Sequence, residues 1–452
     1  MRKQLTFLIG FGLFILMIPA QVEAQDSQYW TNQFGNSARL LGGAVIGSVE
    51  DISAVYYNPG ALALVEKPEL LLAGKVVDIS RFSIKGGEIL DLGAEQMRFD
   101  LAPSLFAGEI RLGEQPRDRI AYSYLTRHSN KFRLRSRIQE VGHDLSLPEV
   151  DFLANDLFNE LDLNEYWVGG TWARKIGENA GFGVSTYFAY RSHRAKLENK
   201  TQVLVSEGQA AIGLVNSSYQ YSHLRLLWKL GFATMVNNWQ LGINVTTPGV
   251  KIWSNGERAI DRSVVSQYPD EEENLPTEIA VNYQKTGADY RSPWSVGFGV
   301  ARRFGGTKLH VSGEWFAPVS AYAIIDSDPF ESQSSGEVIE TAIVQDLNSV
   351  FNIAAGLEYN LRQNLQFYSA FNTDFNAVDK GNRDNTAYGA FDLYHISSGV
   401  TFMVGSSELT VGGTFSFSDP ETFETEEDSL LPLTTELSHL RISFILGFLL
   451  PF

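Results

Sequence analysis

Cysteine is absent from all 452 residues. That excludes a disulfide framework, a thiolate metal centre and a lipid-bearing N-terminal cysteine. Positive charge is scarce as well. Lys and Arg number 36 against 53 Asp and Glu, a net charge of −17, whereas a nucleic-acid partner needs a basic face. Beyond the N-terminus no apolar run reaches the ~20 residues of a spanning helix. No Gly-x-Ser-x-Gly and no metal-spaced histidine pair occurs. His193, His223 and His439 each follow a serine directly, but strand neighbours point to opposite faces, so none of these pairs joins a nucleophile to its base. His395, beside Ser397 and Ser398, is the one candidate for a cross-strand pairing. The expectation is a chain without catalytic residues, cofactor or metal. Linkers, low-complexity tracts and fixed-period repeats are missing too.

What is present begins with an export signal. Arg2 and Lys3 precede an apolar run from Leu5 to Ile18, and Val22-Glu23-Ala24 supplies small residues for cleavage. Residues 1–24 therefore read as a signal peptide. Strands follow. In 293–303, Trp294, Val296, Phe298 and Val300 share one face, and Ser295, Gly297, Gly299 and Ala301 share the other. Residues 395–404 and 407–418 repeat the scheme.

Large apolar side chains on one face and small or polar ones on the other fit a soluble sandwich or a membrane barrel. Length favours the barrel, because many segments run ten or more residues, as a tilted crossing requires. Aromatics near strand ends (Tyr166-Trp167, Trp294, Trp315-Phe316, Phe367-Tyr368) suit interfacial girdles. The chain also closes on "SHLRISFILGFLLPF", with Leu440, Ile442, Phe444, Leu446, Phe448, Leu450 and Phe452 on one face. Somewhat more than fourteen segments can be counted, and those near Phe132 and Thr201 read as loop extensions or continuations of neighbouring strands. An even number is required, so fourteen or sixteen remain, and either leaves a lumen that something must fill.

Residues 25–66 do not alternate. Gly42, Gly43, Gly47 and Gly60 with Pro59 suit a compact plug of short helices and turns, though an N-terminal strand or periplasmic extension also fits. The segment "GNSAR…GGA…DISAVYYNP" resembles the N-terminal hatch of the FadL-type outer-membrane transporters of long-chain fatty acids and other hydrophobic compounds. The matching residues are Gly42, Gly43 and Ala44, then Asp51, Ser53 and Ala54, then Asn58 and Pro59. Gly60 stands where that family usually has Ala, which predicts a looser hatch turn.

The resemblance implies an all-β fold: a transmembrane antiparallel barrel of about fourteen strands, plugged by the hatch. It implies an apolar ligand pocket between hatch and wall, and lateral exit at a kinked strand, sought near 106–113 and 121–129. The division is then 1–24 signal peptide, 25–66 hatch and 67–452 barrel with long extracellular loops. The hatch or gating residues are Gly42, Gly43, Asp51, Ser53, Asn58, Pro59 and Gly60; ligand-binding residues are not identified. Arg81, Lys85, Arg133 and Arg302 are possible head-group contacts without assignment.

Expected partners are hydrophobic small molecules, outer-membrane lipid and lipopolysaccharide, and the barrel-assembly machinery through the strand ending at Phe452. The chain is expected to be a monomer in the outer membrane. Residues 145–161 read as an amphipathic helix with Leu153, Leu157, Phe158 and Leu161 on one side, and 131–164, 254–278 and 318–348 as recognition loops. The acidic stretches 269–274 and 419–429 read as solvated loops, and 372–385 lacks the Gly and Glu of a calcium loop. A non-selective porin and a surface adhesin are the alternative functions.

Overall fold

The computed structural model describes residues 27–66, 69–86, 90–99, 103–110, 117–141, 150–205, 209–267, 278–378, 391–424 and 434–451. Residues 1–26, read from the sequence mostly as a signal peptide, and Lys67, Pro68 and Phe452 lie outside them. The first half of the wall is β1 (Glu69–Gly86), β2 in two pieces (Leu90–Phe99 and Pro103–Ile110), β3 (Asp118–Val141) and β4 (Val150–Ile176). It continues through β5 (Ala180–Val205), β6 (Gln209–Val236) and β7, also in two pieces (Trp239–Thr246 and Val250–Gln267). The second half opens with β8 (Glu278–Thr286 and Ser295–Phe304), β9 (Thr307–Phe316) and β10 (Val350–Arg362). It ends with β11 (Leu365–Asp374), β12 (Leu393–Val404), β13 (Ser407–Ser418) and β14 (Thr434–Pro451). All neighbours are antiparallel, and β14 pairs with β1 from Glu69↔Pro451 to Gly86↔Thr435. The wall of fourteen strands is closed.

The alternation has the expected sense. On β14, Leu440, Phe444, Phe448 and Leu450 are exposed on the outer face, while Ser443, Ile445, Gly447 and Leu449 are buried inside. On the outside of the lower β8, Trp294 and Phe304 bracket exposed Phe298. Ten residues at ~3.3 Å each, tilted ~40°, separate them by about 25 Å, the height of a lipid-facing band.

Strands β3 to β6 hold 24, 27, 26 and 28 residues. A crossing needs only ~10, so these strands extend the wall well past the band at the long-loop end. This corrects two expectations. Residues from Val150 onward within 145–161 are strand β4, not helix, and 131–141, 150–164 and 254–267 are wall rather than loop. Leu153, Leu157 and Leu161 are spaced by four, which satisfies a strand face as well as a helix face. Ladders on both flanks of β4 decide it, with Phe158 paired to Arg135 and to Glu198. Within 318–348, Val319–Ile325 pairs with Ile343–Leu347, and Phe330–Glu331 with Val338–Ile339, as small sheets over the long-loop end.

Candidate functional site: a seated hatch and a charged cavity

Residues 27–66 lie inside the barrel as two single-turn helices, α1 (Ser37–Leu40) and α2 (Ala54–Tyr57), followed by a 3₁₀ turn over Pro59–Leu64. Phe34, Leu40, Ile52, Val55 and Leu62 are fully buried. Asn58 organises the contact with the wall. Its Oδ1 accepts from Gly60 N at 3.1 Å, capping the turn that Pro59 starts. Its Nδ2 donates to Ile46 O at 2.8 Å and to Phe232 O of β6 at 2.9 Å. Asn244 of β7 returns a bond to Tyr57 O at 2.5 Å.

The wall facing this turn is glycine. A Cβ on Gly60 would lie 2.6 Å from the carbonyl oxygens of both Gly181 and Gly231. Gly60 therefore does not loosen the turn as expected; it lets hatch backbone lie directly on wall backbone, where Ala would collide. Gly297 and Gly299, read from the sequence as a small face, are part of the same cradle and face Ile46 and Gly47.

Asp51 accepts from Ser53 N at 2.8 Å, from Ser53 Oγ, and from Ser37 Oγ at 3.3 Å. That knot ties α1 to α2. Gly42 and Gly43 take positive φ (+60° and +78°), a turn that only glycine makes without strain. The seven hatch residues singled out by resemblance thus fold and seat the hatch, and none of them lines a described cavity.

The described cavity between hatch and wall is lined by charge. A cavity of about 60 Å³ lies between Tyr29 and Tyr56 of the hatch and a wall that includes Arg127, Glu165, Arg225, Lys229 and Glu314. Glu165 accepts from Arg225 Nη2 at 2.6 Å, Arg191 Nη1 at 2.9 Å and Trp167 Nε1 at 2.6 Å. Glu314 accepts from Trp30 Nε1 at 2.9 Å and Ser295 Oγ at 2.6 Å, with Lys229 Nζ at 4.0 Å. The guanidiniums of Arg191 and Arg225 stand 4.0 and 4.7 Å from the Tyr290 ring centre, and Lys229 Nζ 4.7 Å from that of Tyr56. Four cations with two carboxylates leave a positive surplus. Among the described residues, Arg225 Nε and Nη1 are buried without an acceptor.

Sequence reading missed this cluster. The signal was charge at inward positions of lipid-facing strands: Arg225, Leu227 and Lys229 alternate with Leu224, Leu226, Trp228 and Leu230. The named alternatives lie elsewhere, Arg133 exposed on an ion pair with Glu160 and Arg302 over the rings of Trp239 and Phe304; the side chain of Lys85 is outside those described. His395 Nδ1 meets Ser416 Oγ at 2.7 Å across the strands, but both residues are buried.

A second space, about 430 Å³, opens at the short-turn end beneath the hatch and is lined by Ser48, Glu50, Glu66, Glu69, Met235 and Gln240 among others. The wall itself is interrupted beside the hatch. The lower β2 pairs with β3 from Ile110↔Ile120 to Leu105↔Leu125, whereas the upper β2 pairs with β1 and no described ladder joins it to β3. Hatch residues fill the place. Asn32 Nδ2 donates to Arg127 O at 3.2 Å and its Oδ1 accepts from Lys75 Nζ at 2.8 Å, while Arg127 Nη2 donates to Tyr29 O at 2.7 Å.

No family profile and no curated protein matches the chain. Solved structures do. A Pseudomonas aeruginosa FadL homologue aligns over 94% of this chain and 100% of its own, at 12% identity and a TM-score of 0.55. The Pseudomonas putida toluene transporter TodX aligns over 93% and 98%, at 12% identity and a TM-score of 0.59. The chain has the FadL-type barrel fold. CymD, a monoaromatic hydrocarbon channel, matches over 93% and 97% at 12% identity and a TM-score of 0.55. The FadL-type resemblance carried by residues 42–60 therefore extends to the whole architecture, hatch included, at an identity that speaks for the fold alone.

Proposed function

We propose that the protein carries hydrophobic compounds inward across an outer membrane by passive diffusion past its hatch. The ligands are amphiphiles with an acidic head, long-chain fatty acids being the simplest. The carrying observation is the charged cavity between hatch and wall. A carboxylate head fits four cations facing two carboxylates, and a plain hydrocarbon gains nothing from them. The short-turn end then faces the periplasm. Lateral exit uses the interruption between β2 and β3, near the sequence stretches 106–113 and 121–129, where Asn32 and Tyr29 act as the seal. An acyl chain leaving there stays out of water, worth about 0.8 kcal/mol per CH₂. On this reading the protein is a monomer that catalyses nothing and binds no cofactor. Its β14 strand is the handle for barrel assembly, and lipopolysaccharide surrounds it.

The charged lumen also suits a porin, so the test must separate the two. Planar-bilayer conductance is measured for the intact chain and for one lacking residues 25–60, alongside oleate uptake by cells. The uptake reading expects a quiet intact barrel, a conducting deletion, and oleate uptake by the intact form. An intact barrel that conducts as the deletion does overturns the hatch, and porin takes its place.

A further inference from the structure

We propose that the barrel wall has a second lateral opening, between β7 and β8, through which an amphiphile passes between the charged cavity and the lipid at the outer girdle. The proposal rests on the uptake reading above and goes beyond it in place and in the residues involved.

The two strands pair below up to Thr246↔Ser295 and above from Gly256↔Thr286. Between those limits, residues 250–255 of β7 keep their partners on β6, except Ile252 at a bulge, and no described strand pairs with them on the other side. The matching stretch of β8, 287–293, leaves the ladder instead, and Tyr290 turns into the lumen. Asp289 N donates to Ile324 O at 2.8 Å, and Tyr290 lies beside Arg191 and Arg225. In a closed wall every second residue is hidden from the outside. Here Val250, Lys251, Ile252 and Trp253 are exposed in succession, because the edge of the strand is bare and a bulge sits opposite Leu224 and Arg225.

Side-chain bonds replace the ladder across the gap. Lys251 Nζ donates to Ala288 O at 2.7 Å, Ala288 N donates to Ser254 Oγ at 3.1 Å, and Gly249 N donates to Ser292 Oγ at 3.0 Å. The inner rim is Thr247, Tyr290, Ser292 and Pro293, which also line the charged cavity. The outer rim is Val250, Ile252, Trp253 and Trp294, all at least 49% exposed. The side chains of these two rims stand between lipid and cavity. Inside the rims wait Arg225 Nε and Nη1, buried and without acceptors among the described residues. An anionic head bound there leaves its apolar tail to run out between Trp253 and Trp294, the usual interfacial pair of amphipathic rings.

The absence of cysteine makes a clean lock possible. A Cβ at Gly287 would lie 3.7 Å from Ser254 Oγ, within disulfide reach. Radiolabelled oleate uptake is measured in cells without other fatty-acid channels, using the wild type and Ser254→Cys/Gly287→Cys. Gel heat-modifiability checks the barrel and mass spectrometry checks the cross-link. The proposal expects about a tenfold loss of uptake on oxidation, regained on reduction, with Ser254→Cys alone insensitive to oxidant. It also expects Lys251→Ala/Ser292→Ala, which unlatches the gap, to take up oleate two- to fivefold faster. A cross-linked barrel working at the wild-type rate overturns the opening and leaves the β2–β3 route standing. Failure of the wild type to exceed cells without the barrel overturns the uptake reading and this opening with it.

Discussion

Asn58 uses both ends of its carboxamide, Nδ2 to bind hatch to wall and Oδ1 to cap the turn within the hatch, so no single replacement restores what it does. Asn58→Ala leaves Ile46 O and Phe232 O without this donor and Gly60 N without its acceptor, at about 1–3 kcal/mol for each buried group left unsatisfied. Gly60→Ala attacks the same seat by volume, at about 1–3 kcal/mol of overpacking. Both variants are expected to keep the barrel and to lose protection of hatch amides in hydrogen exchange; unchanged protection would mean that the glycine cradle is incidental. Asp51 adds a pH dependence. Burial raises its carboxyl above the ordinary value, opposed by the bonds from Ser53 and Ser37. The seated hatch therefore holds the proton more tightly than an unseated one, and this contribution weakens as pH rises through the raised value. Exchange protection of 37–57, corrected for intrinsic rate, is expected to fall as pH rises from the ordinary carboxylate range through the raised value in the wild type and to stay flat in Asp51→Asn.

At the scale of elements, strand length and strand continuity divide the labour. The long strands β3 to β6 carry the inward charges, and Glu165 on β4 holds Arg191 on β5 and Arg225 on β6 together. Glu165→Gln removes the countercharge from two buried guanidiniums. About 3–5 kcal/mol of stability should go with it, read as a lowered unfolding midpoint in denaturant; a variant as stable as the wild type would show that water or lipid head groups already neutralise the pair. Interrupted strands do the opposite work. β2 and β7 break 8 residues and β8 10 residues from the short-turn end, and a break in a barrel strand releases the backbone groups that otherwise seal the wall. Hatch residues close the first break and side chains close the second. Period-2 patterning exposed the strands readily, but not their ends: the i, i+4 spacing of Leu153, Leu157 and Leu161 fits helix and strand alike, and only pairing on both flanks separates them.

For the whole molecule, closure without disulfides depends on the ladder between β1 and β14, the pair most distant in sequence. Deleting residues 440–452 should leave Glu69 to Arg81 of the first strand without their partners on β14 and abolish heat-modifiable barrel on gels; a barrel that still formed would mean that β13 can close on β1 directly. The hatch, by contrast, is a filling inside a finished ring, which is why its removal is expected to change conductance before it changes the fold.

The all-β class, the lipid-facing stripe and the hatch segment were readable along the chain, because each depends on spacings within about ten neighbouring residues. Trp294 to Val300 and Leu440 to Leu450 point outward as their alternation requires. The charged cavity was not readable, since Tyr29, Arg127, Glu165, Arg225 and Glu314 meet only when the ring closes and the hatch is seated. The meaning of Gly60 was equally hidden: a missing side chain looks like freedom in sequence, and the carbonyls of Gly181 and Gly231 turn it into close contact. Local periodicity decides which way a strand faces, and long-range pairing alone decides what stands opposite it and where the wall is left unpaired.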